Sequence, residues 1–392
     1  MPASAVGSRL SGLRFIDPQD DPGWSHVVVS GGPGPEPGAA TRTLVGGVDA
    51  VGLALGDVEI AGAGRTWGLD EWVEETWSTS VLVLDRATVV HEWYAAGLGP
   101  HTRFLGASMS KSVLAHLVGR AVTAGELRLD DQVCAHVPEL RGTGYDGTRL
   151  VDVLTMTSGA DWVEDHRDPD SLASRLLGCF ADGGDSRRLL GSVRPGVGPG
   201  TRFAYCTADS QVLDWVRERA TGRPFADDLA LLWADLGCTD DAAVGVDGTG
   251  AALAGGGITA TTRDWARVAM LAVDGTAAGH RVLDGSWVDA AARPTYPFLA
   301  PGRLPSTITV HAGFGFHWWP LDESGRRLAA DGSRGQLAAV DRRTGTVVVK
   351  TSRWPYDDAW ADRHCRDLSY LGLHALLDIT PLDRSTEGEA TP

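Results

Sequence analysis

Residues 106–125 have the sequence GASMSKSVLAHLVGRAVTAG, and their hydrophobic pattern predicts a helix. Its apolar side chains recur at spacings of three and four residues: Val113, Leu114, Leu117, Val118 and Ala121. Gly125 is a natural stop for that helix. Ser108 and Lys111 are three positions apart near its start, so a hydroxyl and an amine lie on one helical face and can approach each other.

A serine and a lysine in this arrangement are suited to nucleophilic catalysis. A serine hydroxyl is a poor nucleophile until a base takes its proton, and a buried lysine can be that base if burial lowers its pKa. The start of a helix also has unpaired backbone N–H groups, which can stabilise a developing oxyanion. The pattern therefore favours Ser108 as the nucleophile and Lys111 as its general base.

The S-x-x-K pattern alone is weak, because a capping serine followed by a solvated lysine has the same spacing. Two observations favour the catalytic interpretation. The pattern occurs once in the chain, and its lysine is one of only two, Lys111 and Lys350, among 35 basic residues. Arginine cannot act as a base near neutral pH, so a lysine at position 111 is what general-base catalysis requires. We interpret Lys350, which ends an apolar strand, as structural.

The segments on both sides of this helix indicate the fold class. Strand patterns lie towards both ends of the chain, at residues 80–84, 89–94, 313–319, 336–341 and 347–351, with a hairpin turn at 85–88. Helical patterns lie between them, at residues 150–156, 208–221, 226–236 and 262–274. This order predicts a mixed α/β (α+β) fold, an antiparallel sheet flanked by helices with an inserted helical domain. We expect the sheet domain in residues 1–105 and 255–392, and the helical domain in residues 106–254.

Composition excludes several classes of partner. The net charge is −16 at neutral pH, which disfavours nucleic acid and anionic membranes because both attract basic patches. No apolar run is long enough to span a bilayer, and residues 1–20 lack the basic start and apolar stretch of a signal peptide. The five cysteines are far apart without metal-ligand spacing, so we expect no metal site, no disulfide framework and a reducing, cytoplasmic location.

Several further segments are similar, in type and in order, to the motifs of one enzyme family. They are residues 150–159 (LVDVLTMTSG), 199–222 (PGTRFAYCTADSQVLDWVRERATG), 254–269 (AGGGITATTRDWARVA) and 313–319 (GFGFHWW). With Ser108 and Lys111 they resemble the penicillin-recognising serine hydrolases, which include class C β-lactamases, DD-peptidases and related esterases. Residues 203–222 and 335–355 look most like the 6-aminohexanoate-dimer hydrolase branch, amidases of nylon oligomers. The resemblance covers most of the chain from residue 80 and implies a β-lactamase/transpeptidase-like fold.

The resemblance assigns a role to Tyr205. This residue corresponds to the family's catalytic tyrosine, which implies that its hydroxyl lies between Ser108 and Lys111 and relays a proton to the leaving group. The asparagine that usually follows two positions later is Thr207 here, a change that the amidase-like branch tolerates. Cys206 is not a candidate nucleophile, because no histidine motif accompanies it.

The family's third motif is normally Lys-Thr-Gly and has its best match at residues 330–333 (ADGS). Gly332 allows close backbone approach, and the backbone N–H groups of Ser333 and Ser108 are expected to form the oxyanion hole. Ala330 cannot hold a substrate carboxylate as the family's lysine does, and Arg334 is the candidate that partly substitutes for it. This departure argues against β-lactam and peptidoglycan substrates.

A loop at residues 162–168 provides the remaining candidates. In the amidase-like relatives this loop covers the pocket, and a tyrosine in it contacts the substrate. His166 and Trp162 are therefore candidate substrate-binding residues here. A surface histidine is the alternative interpretation of His166.

We therefore expect a serine hydrolase that acts on amide or ester bonds of small molecules through an acyl-Ser108 intermediate, without a metal or an organic cofactor. Two alternatives stay open. With an amine or alcohol in place of water, the chain would be an acyltransferase or amide synthase in small-molecule biosynthesis. The other alternative is a catalytically inactive binding or sensor module, against which the intact Ser108, Lys111 and Tyr205 argue. Expected partners are the substrate, no nucleic acid and no membrane, with a homodimer as the candidate assembly.

Overall fold

The structure, a computed structural model, describes residues 16–17, 25–31, 58–62, 64–355 and 363–379. Most of residues 1–20, the segment tested above for a signal peptide, lie outside the described residues. The strands of the described part are β1 (Ile16–Asp17), β2 (His26–Val29), β3 (Ile60–Gly62), β4 (Arg65–Trp67), β5 (Ser78–Asp85), β6 (Thr88–Tyr94), β7 (Arg103–Leu105), β8 (Ala242–Gly245), β9 (Ile258–Thr261), β10 (Thr276–Ala277), β11 (His280–Arg281), β12 (Trp319–Pro320), β13 (Arg327–Gly332), β14 (Gln336–Asp341) and β15 (Thr346–Ser352). Its α-helices are α1 (Leu69–Glu75), α2 (Ser110–Thr123), α3 (Val133–His136), α4 (Leu150–Leu154), α5 (Leu172–Ala181), α6 (Ser186–Leu190), α7 (Thr207–Thr221), α8 (Phe225–Leu236), α9 (Thr262–Asp274), α10 (Gly285–Ala291) and α11 (His364–Leu377).

A six-stranded antiparallel sheet has the strand order β12-β13-β14-β15-β5-β6. Strands β5 and β6 precede the S-x-x-K segment, whereas β12 to β15 come from the last part of the described chain. The two parts meet at β5, where Leu84 lies opposite Val347 of β15 on one side and Val89 of β6 on the other. The predicted hairpin and the predicted antiparallel sheet, built from two distant parts of the chain, are confirmed.

Both faces of this sheet are buried, because helices cover each of them. On β5, Leu82 and Leu84 belong to an apolar cluster that includes residues of α2 and α9, whereas Val81 and Val83 belong to a second cluster that includes residues of α1 and α11. Alternate side chains of a strand point to opposite faces. A strand buried on both faces therefore needs apolar residues at successive positions, as in the sequence VLVL at residues 81–84.

The chain between β7 and β9 is mainly helical and contains α2 to α8. Helix α7 packs against both α2 and α4, which brings together the segments that carry the sequence motifs. Strands β8 and β9 pair with each other in a smaller sheet ordered β1-β7-β9-β8-β2. The helical insertion is thus present, while its boundaries at residues 105/106 and 254/255 stay a prediction.

The strand predicted at residues 313–319 is wrong. The chain is irregular from residue 311 to residue 318, and strand β12 begins only at Trp319. The backbone N–H of Phe314 donates to Leu299 at 2.8 Å and that of His317 donates to Leu154 at 3.2 Å, so the segment bonds to separate parts of the chain instead of one neighbouring strand. His317 also has a φ of 55°, which turns the backbone away from an extended path.

The predicted helices agree closely with the structure. Helix α9 has the predicted bounds, and α7 and α8 each begin one residue earlier than predicted. No helix in the described residues is both long and apolar enough to cross a bilayer. Within the same residues, no three His, Cys, Asp or Glu side chains are grouped to hold a metal ion, and the five cysteines are free thiols.

Candidate active site

Ser108 lies in a 3-10 turn (Ala107–Met109) between β7 and α2, two residues before the α-helix begins. Its neighbours Ala107 and Met109 are buried, whereas Ser108 is partly exposed. Ala107 has a φ of 45°, a left-handed conformation that costs a non-glycine residue of order 1–3 kcal/mol. The turn therefore holds an accessible hydroxyl on an otherwise buried and strained piece of backbone.

Lys111 lies in the first turn of α2 and is buried, with only 3% of its surface exposed. Its Nζ atom lies 3.1 Å from Ser108 Oγ, 3.2 Å from Thr207 Oγ1 and 2.7 Å from the carbonyl oxygen of Gly255. Burial lowers the pKa of Lys111 to about 8, although the negative charge of Glu164 raises it. A lysine with this pKa is partly neutral near neutral pH, so it can accept the proton of Ser108.

Tyr205 precedes α7, and its ring is buried, with 8% of its surface exposed. The ring stacks on Trp319 at a centroid separation of 6.0 Å, and Lys111 Nζ lies 5.2 Å from its centroid. Burial raises the pKa of Tyr205 well above its usual value, while a side-chain hydrogen bond with Ser108 lowers it. Tyr205 thus keeps its proton at neutral pH and can donate it, whereas the catalytic roles of Tyr205 and Lys111 stay predictions.

The end of β13 packs against the turn that carries Ser108. A Cβ on Gly332 would lie 2.2 Å from the carbonyl oxygen of Gly106 and 2.9 Å from the backbone nitrogen of Met109, so only glycine fits there. Ser333 follows directly and is partly exposed. An oxyanion hole formed by the N–H groups of Ser108 and Ser333 stays a prediction.

Ala330 and Arg334 lie two residues before and two residues after Gly332, the residue that packs against the turn of Ser108. Ala330 pairs with Ala338 in the sheet and lies in the apolar cluster shared with α2, with 1% of its surface exposed. Arg334 lies in the turn after β13 with a φ of 61°, and partial burial lowers the pKa of its guanidinium. Arg334 is therefore the cationic side chain of this turn, and its role in substrate binding stays a prediction.

Glu164 joins the predicted loop to the site. Its carboxylate accepts hydrogen bonds from the backbone N–H of Thr207 at 2.8 Å, the hydroxyl of Thr207 at 2.5 Å, the indole of Trp162 at 2.7 Å and Nε2 of His166 at 3.0 Å. Burial raises the pKa of Glu164, but the hydrogen bond and charge of His166, the charge of Lys111 and the bond from Thr207 bring it down to about 2. Glu164, whose side chain is 10% exposed, is therefore a largely buried anion beside the candidate base.

The sequence has no signal that singles out Glu164, because a carboxylate in a polar loop is usually solvated. The two loop residues that the sequence does single out, Trp162 and His166, are both hydrogen-bonded to Glu164. Trp162 is buried with its indole N–H on Glu164, and the side chain of His166 keeps 19% of its surface exposed. Contact of Trp162 and His166 with a substrate stays a prediction.

A second buried carboxylate, Asp209, lies in the first turn of α7 and was also not predicted. Its Oδ1 atom accepts hydrogen bonds from the hydroxyls of Tyr145 at 3.1 Å and Ser158 at 2.8 Å. Burial raises the pKa of Asp209 to about 7, although its hydrogen bonds with Ser158, Cys206 and Tyr145 lower it. These contacts tie residues 157–159 to the helix that follows Tyr205.

Comparison with known sequences identifies relatives over most of the chain. The family model described as Beta-lactamase matches residues 69–369. The 6-aminohexanoate-dimer hydrolase of Paenarthrobacter ureafaciens is 34% identical over 327 residues, which are 81% of this chain and 82% of that protein. The esterase EstB of Burkholderia gladioli is 38% identical over 138 residues, which are 32% of this chain and 34% of that protein.

Comparison with solved structures identifies the same fold. The structure of a candidate 6-aminohexanoate-dimer hydrolase from Bacillus anthracis superposes with a TM-score of 0.72 and covers 84% of this chain and 87% of its own. Its sequence is 20% identical, so this likeness concerns the fold alone. The predicted β-lactamase/transpeptidase-like fold is confirmed.

Proposed function

The chain belongs to the beta-lactamase family, and on that basis we propose that it is a serine hydrolase that cleaves ester and amide bonds of small molecules through an acyl-Ser108 intermediate. The observation that carries the proposal is the 3.1 Å separation between Ser108 Oγ and the buried Nζ of Lys111. A nucleophile and its base need this hydrogen-bonding distance. Relatives named as a hydrolase of 6-aminohexanoate dimers and as an esterase support both bond types.

In the proposed acylation step, Lys111 takes the proton of Ser108 while Oγ bonds to the substrate carbonyl carbon. The oxygen of that carbonyl becomes an oxyanion, which the backbone N–H groups of Ser108 and Ser333 stabilise. The bond to the leaving group then breaks, and Tyr205 donates its proton to the departing nitrogen or oxygen while Lys111 returns one to Tyr205. Water cleaves the acyl ester by the reverse sequence and regenerates the Ser108 hydroxyl.

The proposed substrates are esters and amides that lack the carboxylate which, in β-lactam substrates, binds a cationic side chain at the position of Ala330. Ala330 is packed in the apolar core and has no charge with which to bind such a carboxylate. β-Lactams carry such a carboxylate. We therefore propose uncharged esters and linear amides as the preferred class.

The test is intact-mass spectrometry after incubation with p-nitrophenyl acetate. The native chain is expected to gain one acetyl group, and Ser108→Ala is expected to gain none on the same timescale. Equal labelling of both proteins would place the nucleophile elsewhere, and absence of labelling in the native chain would favour an inactive module. Product analysis with and without an added alcohol then distinguishes hydrolysis from acyl transfer.

A further inference from the structure

We propose that Glu164 is a positioning residue of this reaction and that it acts on Lys111 through the hydroxyl of Thr207. In this role its carboxylate stabilises the ammonium that Lys111 becomes when Ser108 loses its proton. The inference rests on the proposed function, because it concerns the base of that mechanism.

A continuous line of hydrogen bonds leads from the nucleophile to Glu164. Lys111 Nζ lies 3.1 Å from Ser108 Oγ and donates to Thr207 Oγ1 at 3.2 Å. The same Thr207 hydroxyl donates to Glu164 Oε1 at 2.5 Å, and His166 Nε2 donates to that oxygen at 3.0 Å. Thr207 thus has one oxygen that accepts from the base and one hydrogen that binds the carboxylate, which couples the two charges without direct contact.

Glu164 is the carboxylate whose charge acts on Lys111 from the loop side of the site. The other groups around the base come from α7 and the residues before it, from the segment before β12, and from β13 and α11. Tyr205 and Cys206 immediately precede α7, and Asp209 lies in its first turn. Cys206 also acts on Lys111, and the charge of Glu164 raises the pKa of Asp209. His317, in the irregular segment before β12, faces Lys111 as a neutral ring, since burial and the lysine charge lower its pKa to about 3.

Two further charges lie on the β13 side of the site. Asp331 of β13 and Arg366 of α11 act on Tyr205 and are paired with each other at 2.9 Å. Because they neutralise each other, Glu164 is the carboxylate whose charge acts on the base. His166, at the outer side of Glu164, binds the same carboxylate oxygen.

The proton balance of acylation explains what this anion does. Before the attack Ser108 holds the proton and Lys111 is neutral; in the tetrahedral intermediate the Ser108 oxygen is bonded to the substrate carbonyl carbon and Lys111 is an ammonium, until its proton returns through Tyr205 to the leaving group. Burial alone makes a lysine a weak base, because the charged form loses its hydration. The Glu164 carboxylate stays ionised throughout and offsets this loss, so the proton moves to Lys111 at a lower free-energy cost.

A purely structural role for Glu164 makes a different prediction. Its carboxylate accepts the backbone N–H of Thr207 at the start of α7 and the indole of Trp162, so it also anchors the loop. Glutamine has the same shape and keeps an acceptor oxygen for such bonds. If the role of Glu164 is only structural, Glu164→Gln should leave the acylation rate unchanged or lower it equally at all pH values. If its charge acts on Lys111, the substitution changes the pH at which Lys111 becomes neutral.

The experiment is the pH profile of single-turnover acylation by p-nitrophenyl acetate for the native chain, Glu164→Gln and Asp165→Asn. Asp165 is the matched control, because it is in the same loop, loses the same charge and pairs with Arg167 away from the base. For Glu164→Gln we expect the acidic limb to move down by roughly one to two pH units, the effect of removing an opposite charge a few ångströms away. The rate at high pH should fall several-fold, because the base is weaker. Asp165→Asn should reproduce the native midpoint.

An unchanged midpoint in a folded Glu164→Gln protein would overturn the inference and leave the acyl-Ser108 mechanism intact. If the native chain is not acylated at Ser108, the proposed function itself fails. Acylation of the native chain therefore tests the proposed function, and the midpoint of Glu164→Gln tests the inference about Glu164. If Glu164→Gln does not fold, judged by circular dichroism, Thr207→Val and Thr207→Ser replace it. Valine removes the hydroxyl that links the charges and should move the midpoint down, whereas serine keeps the hydroxyl and should not; equal midpoints for the two would overturn the inference.

Discussion

Gly255 presents its carbonyl oxygen to Lys111 Nζ at 2.7 Å, and it can do so because it has no side chain. A Cβ at this position would lie 2.8 Å from Cβ of Ser210 and 3.4 Å from Lys111 Nζ itself. The N–H of Gly255 donates to Gln211 at 3.1 Å, so α7 holds the same residue from the other side. The position of the base therefore depends on a close approach between α7 and the backbone before β9.

The first prediction concerns this close approach. Gly255→Ala should lower the single-turnover acylation rate by about tenfold or more, because a displacement of the order of 1 Å at a reacting group costs up to about 10²-fold. Gly256→Ala is the matched control, since a Cβ there would meet nothing nearer than 3.8 Å. Equal acylation rates for the two variants would show that the packing at residue 255 does not position Lys111.

The second prediction separates the charge of Lys111 from its basicity. Arginine keeps a positive charge but cannot release its proton near neutral pH, so Lys111→Arg should lose acylation by about 10²- to 10⁴-fold. Single-turnover acylation measures the loss, and circular dichroism checks that the fold is kept. A loss below about tenfold, roughly 1.4 kcal/mol of barrier, would contradict the mechanism because charge alone would suffice.

The third prediction follows from the apolar environment of Ala330. A missing charge-assisted contact costs about 1.5–3 kcal/mol, so kcat/KM for a chromogenic cephalosporin should be at least about tenfold below that for a short acyl ester. Steady-state assays of both substrates on the same preparation give the ratio. Cephalosporin turnover as efficient as ester turnover would refute the proposed substrate preference.

The fourth prediction concerns Lys350, the second of the two lysines. It is completely buried. Its Nζ donates to the carbonyl oxygen of Thr76 at 3.4 Å and to the hydroxyl of Ser352, and both of these partners are neutral. Burial lowers the pKa of Lys350 from 10.5 to about 7. Between pH 7 and 10.5 the unfolded chain binds a proton that the folded chain does not, so this lysine makes stability rise with pH in that window.

Lys350→Met should therefore raise the free energy of unfolding by about 1–4 kcal/mol at pH 7, and the gain should shrink towards pH 10. Denaturant unfolding at pH 7 and at pH 9.5 measures both values. Arg343→Met, on the exposed turn between β14 and β15, removes the same charge without burial and should show no such pH dependence. A Lys350→Met protein less stable than the native chain at pH 7 would mean that the two hydrogen bonds outweigh the cost of burying the charge.

Much of the fold followed from local patterns. Alternation and continuous apolar runs predicted β5, β6, β14 and β15, and spacings of three and four predicted α2 and α7 to α9. These patterns work because the direction of a side chain is determined by its own backbone conformation. The same reasoning wrongly predicted a strand at residues 313–319. Its apolar side chains are buried, but its backbone is irregular and donates hydrogen bonds to Leu299 and Leu154.

The sequence by itself predicted that Ser108 and Lys111 are neighbours, because they are three positions apart where a 3-10 turn leads directly into α2. The contact of Gly255 with Lys111 and the position of the Glu164 carboxylate were decided only by tertiary structure. Gly255 is 144 residues from Lys111 and Glu164 is 43 residues from Thr207, and each contact depends on how separate elements pack. The same holds for the pKa of Lys111, which depends on burial and on Glu164 and Cys206, both distant in sequence. Spacing along a chain specifies which groups are available, whereas packing specifies the dielectric environment and the neighbours that make a lysine a base.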